Sequence, residues 1–310
     1  MRALFVSRLF RIGIVSLVVG ACLPLFASGY VLGLLTMAYY TAVFAMSWDL
    51  LFGFANEVNF GPTFLIGLGA YTAGILDARL SPAISIWLCV IAGAAAAVVG
   101  GVLLALPALR LRGPYFGLTT LVAVLILQNF IVVFAEWTGG EIGLTVPDVM
   151  SIDAGVNYWI AFAFMAISGA ILLVLSRSSI GLILQASGQD PVQAGALGFN
   201  IVKHKLAAFI VSAFFSGLSG ALRVFYFGTA SVGTVVDIAV GVNVIVAAVL
   251  GGRRTVLGAA LGAIFLVVAG EFLRPTGELA TFIVSAVALL VVLFFPGGFL
   301  GAALSHEGRQ

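Results

Sequence analysis

Charged side chains are scarce in this chain of 310 residues. Asp, Glu, Lys and Arg make up 8% of it, against about 25% of a typical soluble domain. So few charges cannot coat a soluble fold with polar groups, and a hydrophobic content of 62% is far too high for a disordered chain. Both classes are therefore excluded, and the expected solvent of this chain is mainly lipid.

Reactive side chains are equally rare. The only lysines are Lys203 and Lys205, and neither stands in a nucleotide-binding P-loop pattern. There are two histidines and two cysteines, with no HExxH, no GxSxG and no metal-type spacing. Cys22 and Cys89 lie in apolar runs, where a cysteine usually serves as a small packing residue. We therefore expect no catalytic residue, metal or cofactor on this chain, which favours transport or structural scaffolding over a membrane enzyme.

Long charge-free runs predict about ten transmembrane helices in a single domain, residues 1–310. The first run, Ile12–Trp48, is too long for one span of about 20 residues and is divided near Pro24. The other runs are Val58–Leu76, Leu80–Leu109, Gly113–Ala135, Ala154–Ser176, Leu206–Leu222, Ile238–Gly252, Thr255–Gly270 and Leu279–His306. No alternating polarity of the β-barrel kind is present, so the predicted class is all-α and polytopic.

The basic residues predict the orientation, because cytoplasmic loops carry the excess of Lys and Arg. With both termini inside, all but three of the 14 Lys and Arg residues fall inside; the exceptions are Arg79, Arg223 and Arg274. The predicted extracytoplasmic loop, residues 136–156, carries acids and no Lys or Arg. The N-terminal arginines and apolar run also resemble a signal peptide, but the apolar pattern continues past Cys22, so we expect an uncleaved helix.

A polar segment interrupts the apolar pattern just before the third predicted span. Its polar and helix-breaking residues are Asn56, Glu57, Asn59, Gly61 and Pro62. Irregular backbone at membrane depth occurs where it is buried in protein or lines water, which favours a pathway or gate element. The alternative is a plain loop followed by a packing face made by Gly67, Gly69 and Ala73.

A few polar residues fall inside predicted spans. They are Thr119, Thr120, Gln128, Asn129 and Asn243. Each is suited to lining a path for a polar solute and equally to bridging helices by hydrogen bonds. Gly258 and Gly262 form a GxxxG pair, as do Gly29 with Gly33 and Gly297 with Gly301, and close helix packing explains these pairs.

The longest inside loop, residues 177–205, has helical pieces of its own. We expect helices over Ile180–Ala186 and Pro191–Leu197, the second capped by Asp190 with Pro191 at its first position. Gly198 with Asn200 is expected to end it. A capped amphipathic helix in a cytoplasmic loop suits docking of a partner, and a structured connection without a partner is the alternative.

Several of these segments, in order, resemble the permease subunits of branched-chain amino acid ABC importers. They are Gly53–Tyr71 ending in GLGAY, LRLRGPYF at Leu109–Phe116 with Arg110 and Arg112, TGG at Thr138–Gly140 followed by Gly143-Leu144, AGALGFNIVKHKLAA at Ala194–Ala208, and Val249–Gly262. The resemblance implies a bacterial inner-membrane protein that pairs with a second permease and two ATPases that hold ATP-Mg. It also implies an extracytoplasmic solute-binding protein, a lipid setting and no nucleic acid.

The resemblance further implies that residues 177–205 dock the ATPase and that helices 2–5 and 7–10 form an inverted repeat. The docking residues would be Asp190, Pro191, Ala194, Ala196, Leu197, Gly198 and Asn200. The chain departs from the family pattern at Ala186–Asp190, at Asn56–Asn59 and at Pro62. Relatives carry branched-chain amino acids, urea, short amides or small aromatic acids. A self-sufficient secondary transporter or channel is the alternative from a different class.

Overall fold

The computed structural model describes residues 2–111 and 114–277, together with the single positions 279, 283, 286 and 298. Within these residues the chain is a bundle of α-helices. They are α1 Arg2–Cys22, α2 Gly29–Asp49, α3 Pro62–Leu80, α4 Ile86–Ala108, α5 Tyr115–Val133, α6 Ala135–Thr138, α7 Ala154–Arg177, α8 Ser179–Gln189, α9 Pro191–Ala196, α10 Ile201–Phe227, α11 Ile238–Gly251 and α12 Leu257–Leu273.

Short irregular elements complete the described fold. Two five-residue π-helical turns, Leu50–Phe54 and Val232–Val236, follow α2 and precede α11. Leu23–Leu25 and Arg274–Thr276 form 3₁₀ turns. The strands β1 Leu144–Thr145 and β2 Thr229–Ala230 pair antiparallel.

Six of the described helical stretches are long and apolar enough to cross a membrane. They are Gly29–Phe54, Ile86–Ala108, Tyr115–Val133, Ala154–Arg177, Ile201–Phe227 and Val232–Gly251. The apolar helices Gly13–Leu25 and Leu257–Leu273 are shorter. Large apolar side chains such as Ile91, Leu103, Ile126 and Val174 are exposed on these helices, as a lipid surface requires. The all-α polytopic class is thereby confirmed.

The predicted spans agree with the helices except at a few boundaries. The first run does divide at a turn around Pro24. The span predicted over Val58–Leu76 instead begins at Pro62, because residues 56–61 are irregular and proline takes the first helical position. The predicted last span, Leu279–His306, lies outside the continuously described residues, as do Arg112 and the Gly297–Gly301 pair.

The loops gather at two ends of the bundle that differ in charge. We call one the basic end: its loops 50–61, 109–111, 178–200 and 252–256 join or adjoin Arg110, Arg177, Lys205, Arg253 and Arg254. The other is the acidic end, with loops 23–28, 81–85, 134–153 and 228–237 and the side chains of Glu136, Glu141, Asp148 and Asp153. Arg223, expected in an outer loop, instead lies within α10, with its guanidinium 5.5 Å from the Phe227 ring.

Helices α3, α4 and α10 pack together at glycines. A Cβ atom added to Gly69 would overlap the carbonyl group of Gly217, and one added to Gly93 would overlap the Gly69 carbonyl oxygen. A Cβ on Gly217 of α10 would in turn overlap the Ala97 side chain of α4. Helix backbones approach this closely only where the residues at the contact are small. The van der Waals packing that results stabilises helix association in lipid, where the hydrophobic effect does not drive it. The packing role expected for Gly69 is therefore confirmed.

A second contact of the same kind joins α11 to α12. A Cβ on Gly251 would overlap the Gly258 carbonyl, and a Cβ on Gly262 would overlap the Ala247 carbonyl oxygen. The packing expected for the Gly258–Gly262 pair is thereby confirmed.

Hydrogen bonds between buried side chains add to this packing. The Tyr158 hydroxyl donates to the Gly20 carbonyl oxygen over 2.6 Å, and the Tyr39 and Tyr158 hydroxyls lie 2.8 Å apart, which ties α1 to α7 and α2.

Replacing Gly217 by leucine tests the glycine contact. We expect Gly217→Leu to lower the thermal unfolding midpoint by about 2–10 °C or to prevent folding, because overpacking at a well-packed site costs about 1–3 kcal/mol. The matched control is Gly270→Ala on α12, where an added Cβ meets no atom of the described residues within 4 Å and alanine has the better helix propensity. Fluorescence-detected size-exclusion after heating, in detergent, measures both variants; equal midpoints for Gly217→Leu and wild type would contradict the packing account.

Candidate functional site

A buried polar region of the basic end is built around Asp49, the last residue of α2. Its side chain is 1% exposed. One carboxylate oxygen accepts the backbone N–H of Arg254 over 3.1 Å, and the other accepts the backbone N–H of Val256 over 3.1 Å. A buried carboxylate is tolerated only when its oxygens are occupied in this way. Asp49 therefore fixes the loop between α11 and α12 to the end of α2.

The loop that Asp49 holds has an unusual backbone. Arg254 has φ +65° and Val256 has φ +52°, in the left-handed region that β-branched residues such as valine avoid. Gly53 stands opposite; a Cβ there would overlap the Asp49 carboxylate and lie 2.9 Å from the Arg254 nitrogen. The loop keeps this conformation because the Asp49 carboxylate accepts the N–H groups of Arg254 and Val256 and because Gly53, which faces the loop, has no side chain.

The two arginines of the loop reach back to the residues that follow α2. The Arg254 Nε donates to the Gly53 carbonyl oxygen over 2.7 Å. The Arg253 guanidinium lies 4.3 Å from the Phe52 ring centroid, donates to the Phe52 carbonyl oxygen over 3.3 Å and bonds the Asn56 side-chain oxygen. Burial, and secondarily the neighbouring charge of Arg254, lowers the pKa of Arg253. Both cations satisfy carbonyl groups that the π-helical turn leaves without helical partners.

The polar segment before α3 is held from several sides. Glu57 forms an ion pair with Lys205 of α10. The Trp48 Nε1 donates to the Asn59 carbonyl oxygen over 2.7 Å, and the Asn59 side chain accepts the Gly61 N–H over 2.8 Å. Pro62 follows as the first residue of α3 and is buried. The structure thus brings the predicted residues of this segment together, where they bond the protein itself.

Thr120 of α5 joins the same region. Its hydroxyl accepts the backbone N–H of Phe60 over 3.0 Å and donates to the Gly117 carbonyl oxygen over 2.7 Å. A Cβ on Gly61 would overlap the Thr120 carbonyl group, which explains why glycine stands there. The helix break before α3 is therefore packed directly onto α5.

The other polar residues predicted for a path do not join this region. The Thr119 hydroxyl and the Asn129 amide donate to carbonyl oxygens within their own helix, α5, each over 2.8 Å. The Gln128 amide donates to the Val236 carbonyl oxygen over 3.1 Å, which bridges α5 to the π-helical turn before α11. Asn243 is exposed on α11.

The segment predicted to dock a partner folds largely as expected. Asp190 caps α9 by accepting the backbone N–H groups of Val192 and Gln193 over 2.9 and 3.0 Å, and Pro191 is the first residue of that helix. The role expected for Asn200 needs correction: it caps α10, accepting the Lys203 N–H over 3.0 Å, instead of ending α9. Gly198 at φ +87° makes the intervening turn, so the chain has already left α9 at Asn200.

The exposure of α9 and the turn after it corrects a second expectation. Ala194 is 2% exposed because α9 turns this residue inward, so it cannot be part of a contact surface. Val192 and Leu197, by contrast, are 80% and 74% exposed. Ala196 and Gly198 are exposed as well. Apolar side chains this far from the protein interior are suited to a partner surface.

The segment of α8 and α9 lies directly beside the Asp49 region. A Cβ added to Gly188 of α8 would lie 2.8 Å from the Phe54 carbonyl oxygen and 2.9 Å from the Ala55 carbonyl carbon. We call Asp49, Asn56, Glu57, Lys205, Arg253 and Arg254 the basic-end cluster. It joins α2, the segment before α3, α10 and the α11–α12 loop at one place.

Four members of the basic-end cluster were absent from the residues predicted from sequence. They are Asp49, Lys205, Arg253 and Arg254. Asp49 is the first charged residue after Arg11, and Arg253 with Arg254 stands in a short loop between two apolar runs. An acidic residue at the end of a long apolar run, such as Asp49, suggests a buried contact, and so does a basic pair between two apolar runs. The sequence alone does not indicate that these two features bond each other.

The chemistry of these groups is structural. Among the described residues, no three His, Cys, Asp or Glu side chains lie close enough together to hold a metal ion. The ionisable residues of the basic-end cluster bond loops and helix ends. Six apolar helical stretches long enough to cross a membrane, with a polar junction of loops at one end, define the class: a polytopic α-helical membrane protein.

The chain belongs to the family described as branched-chain amino acid transport system / permease component, which matches residues 30–296. It is 26% identical to the high-affinity branched-chain amino acid transport system permease protein LivM of Salmonella typhimurium, over 92% of this chain and 73% of that protein. LivM of Escherichia coli is also 26% identical, over 95% and 75% of the two chains. LivH of Salmonella typhimurium is 23% identical, over 84% and 91%.

The family match confirms the resemblance inferred from the motifs. Together with the six apolar helices, it makes the chain a multi-pass permease subunit of the bacterial inner membrane.

Removing the Asp49 charge tests the basic-end cluster. Asp49→Asn places an amide N–H₂ against one of two backbone donors, so we expect a loss of about 1–3 kcal/mol in the free energy of unfolding. Glu57→Gln breaks a partly exposed ion pair and is expected to cost about 0–1 kcal/mol. Denaturant unfolding in lipid bicelles compares the two. A larger loss for Glu57→Gln than for Asp49→Asn would show that the buried carboxylate is not the main contact.

Proposed function

We propose that this chain is a membrane subunit of an ABC importer for branched-chain amino acids and that partner chains supply the energy. The match of residues 30–296 to a family of permease components carries the proposal. Two ATPases on the cytoplasmic side would hold ATP-Mg, and a solute-binding protein would deliver solute from outside. The chain is related to both LivM and LivH, which supports pairing with a second, homologous permease.

In this proposal the basic end faces the cytoplasm, and the chain crosses the membrane ten times with both termini inside. The concentration of arginines and lysines in the loops of the basic end supports this orientation. The 134–153 loop, with Glu136, Glu141, Asp148 and Asp153, then lies outside. The last span is assigned from the sequence to Leu279–His306.

The proposed inverted repeat relates helices 2–5 to helices 7–10, which correspond to α2–α5 and to α10, α11, α12 and the last span. Reciprocal packing supports it. Helix α10 packs against α3 and α4, while α2 packs against α12 and α11. A five-residue π-helical turn also follows the first helix of each half, at Leu50–Phe54 and at Val232–Val236. Repeats of this kind in transporters rock against each other around a central solute path.

Residues 177–205 are proposed to dock the ATPase through the exposed side of α8 and α9. Val192 and Leu197 would be the apolar contacts, while Asp190, Pro191 and Ala194 would keep α9 folded. Gly188 of α8 packs on the backbone next to the basic-end cluster. A displacement of α8 would therefore be passed directly to the end of α2 and to the segment before α3. Through this contact, ATP binding to the partner chains would shift the transport path between its inward-facing and outward-facing states.

Uptake by reconstituted vesicles tests the proposed function. With the second permease, the ATPases, ATP-Mg and a solute-binding protein present, L-leucine should accumulate; with this chain alone it should not. Proton- or gradient-driven leucine uptake by the chain alone would instead indicate a secondary transporter or channel. An excess of urea, acetamide or benzoate should leave leucine uptake unchanged, and inhibition by one of them would assign that alternative solute class.

The docking surface has its own test. Val192→Asp places a charge on the exposed apolar side of α9, so the amount of ATPase that co-purifies with the permease should fall at least about tenfold. The matched control is Ile152→Asp, which makes the same kind of change at a residue that is 97% exposed at the acidic end. Undiminished ATPase co-purification with Val192→Asp, or an equal loss with Ile152→Asp, would refute docking at α9.

A further inference from the structure

A small polar cavity of about 270 Å³ lies at the acidic end, away from the basic-end cluster. Its lining comes from parts of the chain far apart in sequence: Gln128, Asn129 and Val132 of α5, Glu141 of the loop after α6, and Val232 of the π-helical turn before α11. Both halves of the chain thus contribute to one cavity, which opens to the outer surface.

The polar side chains that line this cavity have oxygen atoms that can accept hydrogen bonds from a ligand. The Gln128 amide nitrogen is already used to donate to the Val236 carbonyl oxygen, and the Asn129 amide nitrogen donates to the Leu125 carbonyl oxygen. The carboxylate of Glu141 makes no hydrogen bond to any residue that the structure describes. One carboxylate and two amide oxygens therefore remain for a ligand that donates hydrogen bonds.

The segments around the cavity are fixed in place. Gly143, two residues after Glu141, has φ +96°, and a Cβ there would lie 2.8 Å from the Ala230 carbonyl oxygen. The β1–β2 pair holds the same loop against the residues that precede the π-helical turn. Ser231 and Thr234 cap that turn, with their hydroxyl oxygens 2.9 Å apart. The backbone that carries Glu141 and Val232 is therefore held in place, and the Glu141 side chain extends from it in an exposed position.

The charges near the cavity favour a cation. The other acids of the 134–153 loop are Glu136, Asp148 and Asp153. The neighbouring cation, Arg79, is engaged, since its guanidinium donates to the Glu136 carbonyl oxygen over 2.5 Å and lies 4.7 Å from the Trp137 ring centroid. Glu141 thus keeps its negative charge free to act on a ligand.

We propose that this cavity binds a primary ammonium group on an aliphatic chain, and so receives the ammonium end of the solute. An ammonium group has three donors, which match the carboxylate and the two amide oxygens. Val132 and Val232 add an apolar wall for a branched hydrocarbon chain. The carboxylate and the amides supply fewer than the six to eight oxygens that Ca²⁺ takes, so a calcium ion here would depend on water for the rest. This inference rests on the proposed function and deepens it.

Binding of matched probes to the assembled transporter in lipid nanodiscs tests the site. The probes are 3-methylbutylamine, which keeps the ammonium group and the branched chain, and 4-methylpentanoate, which has a carboxylate and no ammonium group. Saturation-transfer NMR titrations should show binding of the amine and none of the acid at Gln128–Glu141. Glu141→Gln should weaken amine binding about tenfold, since a charge-assisted hydrogen bond is lost.

Two further variants separate the site from the general charge of the loop. Glu136→Gln removes an acid from the same loop outside the cavity lining and should leave amine binding unchanged. Asn129→Leu removes one acceptor from an exposed position and should weaken binding without affecting the thermal midpoint. An equal loss with Glu136→Gln, or amine binding that 100 mM NaCl abolishes in all variants alike, would overturn the proposal, because either indicates unspecific attraction of cations.

The outcomes also separate this inference from the proposed function. ATP-dependent leucine uptake combined with unchanged amine binding in Glu141→Gln would overturn the ammonium site alone. Uptake without any ATPase, combined with weaker amine binding in Glu141→Gln, would overturn the importer and keep the site.

Discussion

Two backbone N–H groups of the loop between α11 and α12 donate to the buried carboxylate of Asp49 at the end of α2. Arg254 and Val256 hold left-handed backbone there, and the carboxylate compensates for that conformation because it binds both residues at once. The two arginines of the loop then bond the carbonyl groups of Phe52 and Gly53. This contact therefore places the arginines that bond the carbonyl groups of the π-helical turn after α2, and it adds to the packing of α2 on α12.

The glycine contacts set how the rest of the bundle meets this junction. Gly69, Gly93 and Gly217 bring α3, α4 and α10 together, and Lys205 at the start of α10 pairs with Glu57 before α3. Helix α10 thus runs from the basic end to the acidic end in close backbone contact with α3 and α4. At the acidic end, Gln128 bonds the π-helical turn before α11, so α11 begins beside the polar cavity and ends at the loop that Asp49 holds.

Much of this architecture could be predicted from sequence, because the scarcity of charge delimits the spans and Pro24 and Pro62 mark breaks. The Asp190 cap was equally predictable, since it depends on neighbours in sequence. The partner of Asp49 was not: its bonds reach residues more than 200 positions away, and only the packed bundle decides which loop lies opposite. The prediction that Ala194 lies on a partner-contact surface was wrong for a related reason. Which side of a six-residue helix faces outward depends on the surface on which the helix packs.

The central claim is that the basic end, through α8 and α9, is where the chain receives the energy for transport. Photo-crosslinking in intact cells tests it most directly, with a benzophenone amino acid placed at Val192 in one strain and at Ile152 in another. The account predicts a crosslink to an ATPase at position 192 and none to an ATPase at position 152. A crosslink to an ATPase at position 152, or at neither position in an actively transporting cell, would contradict it.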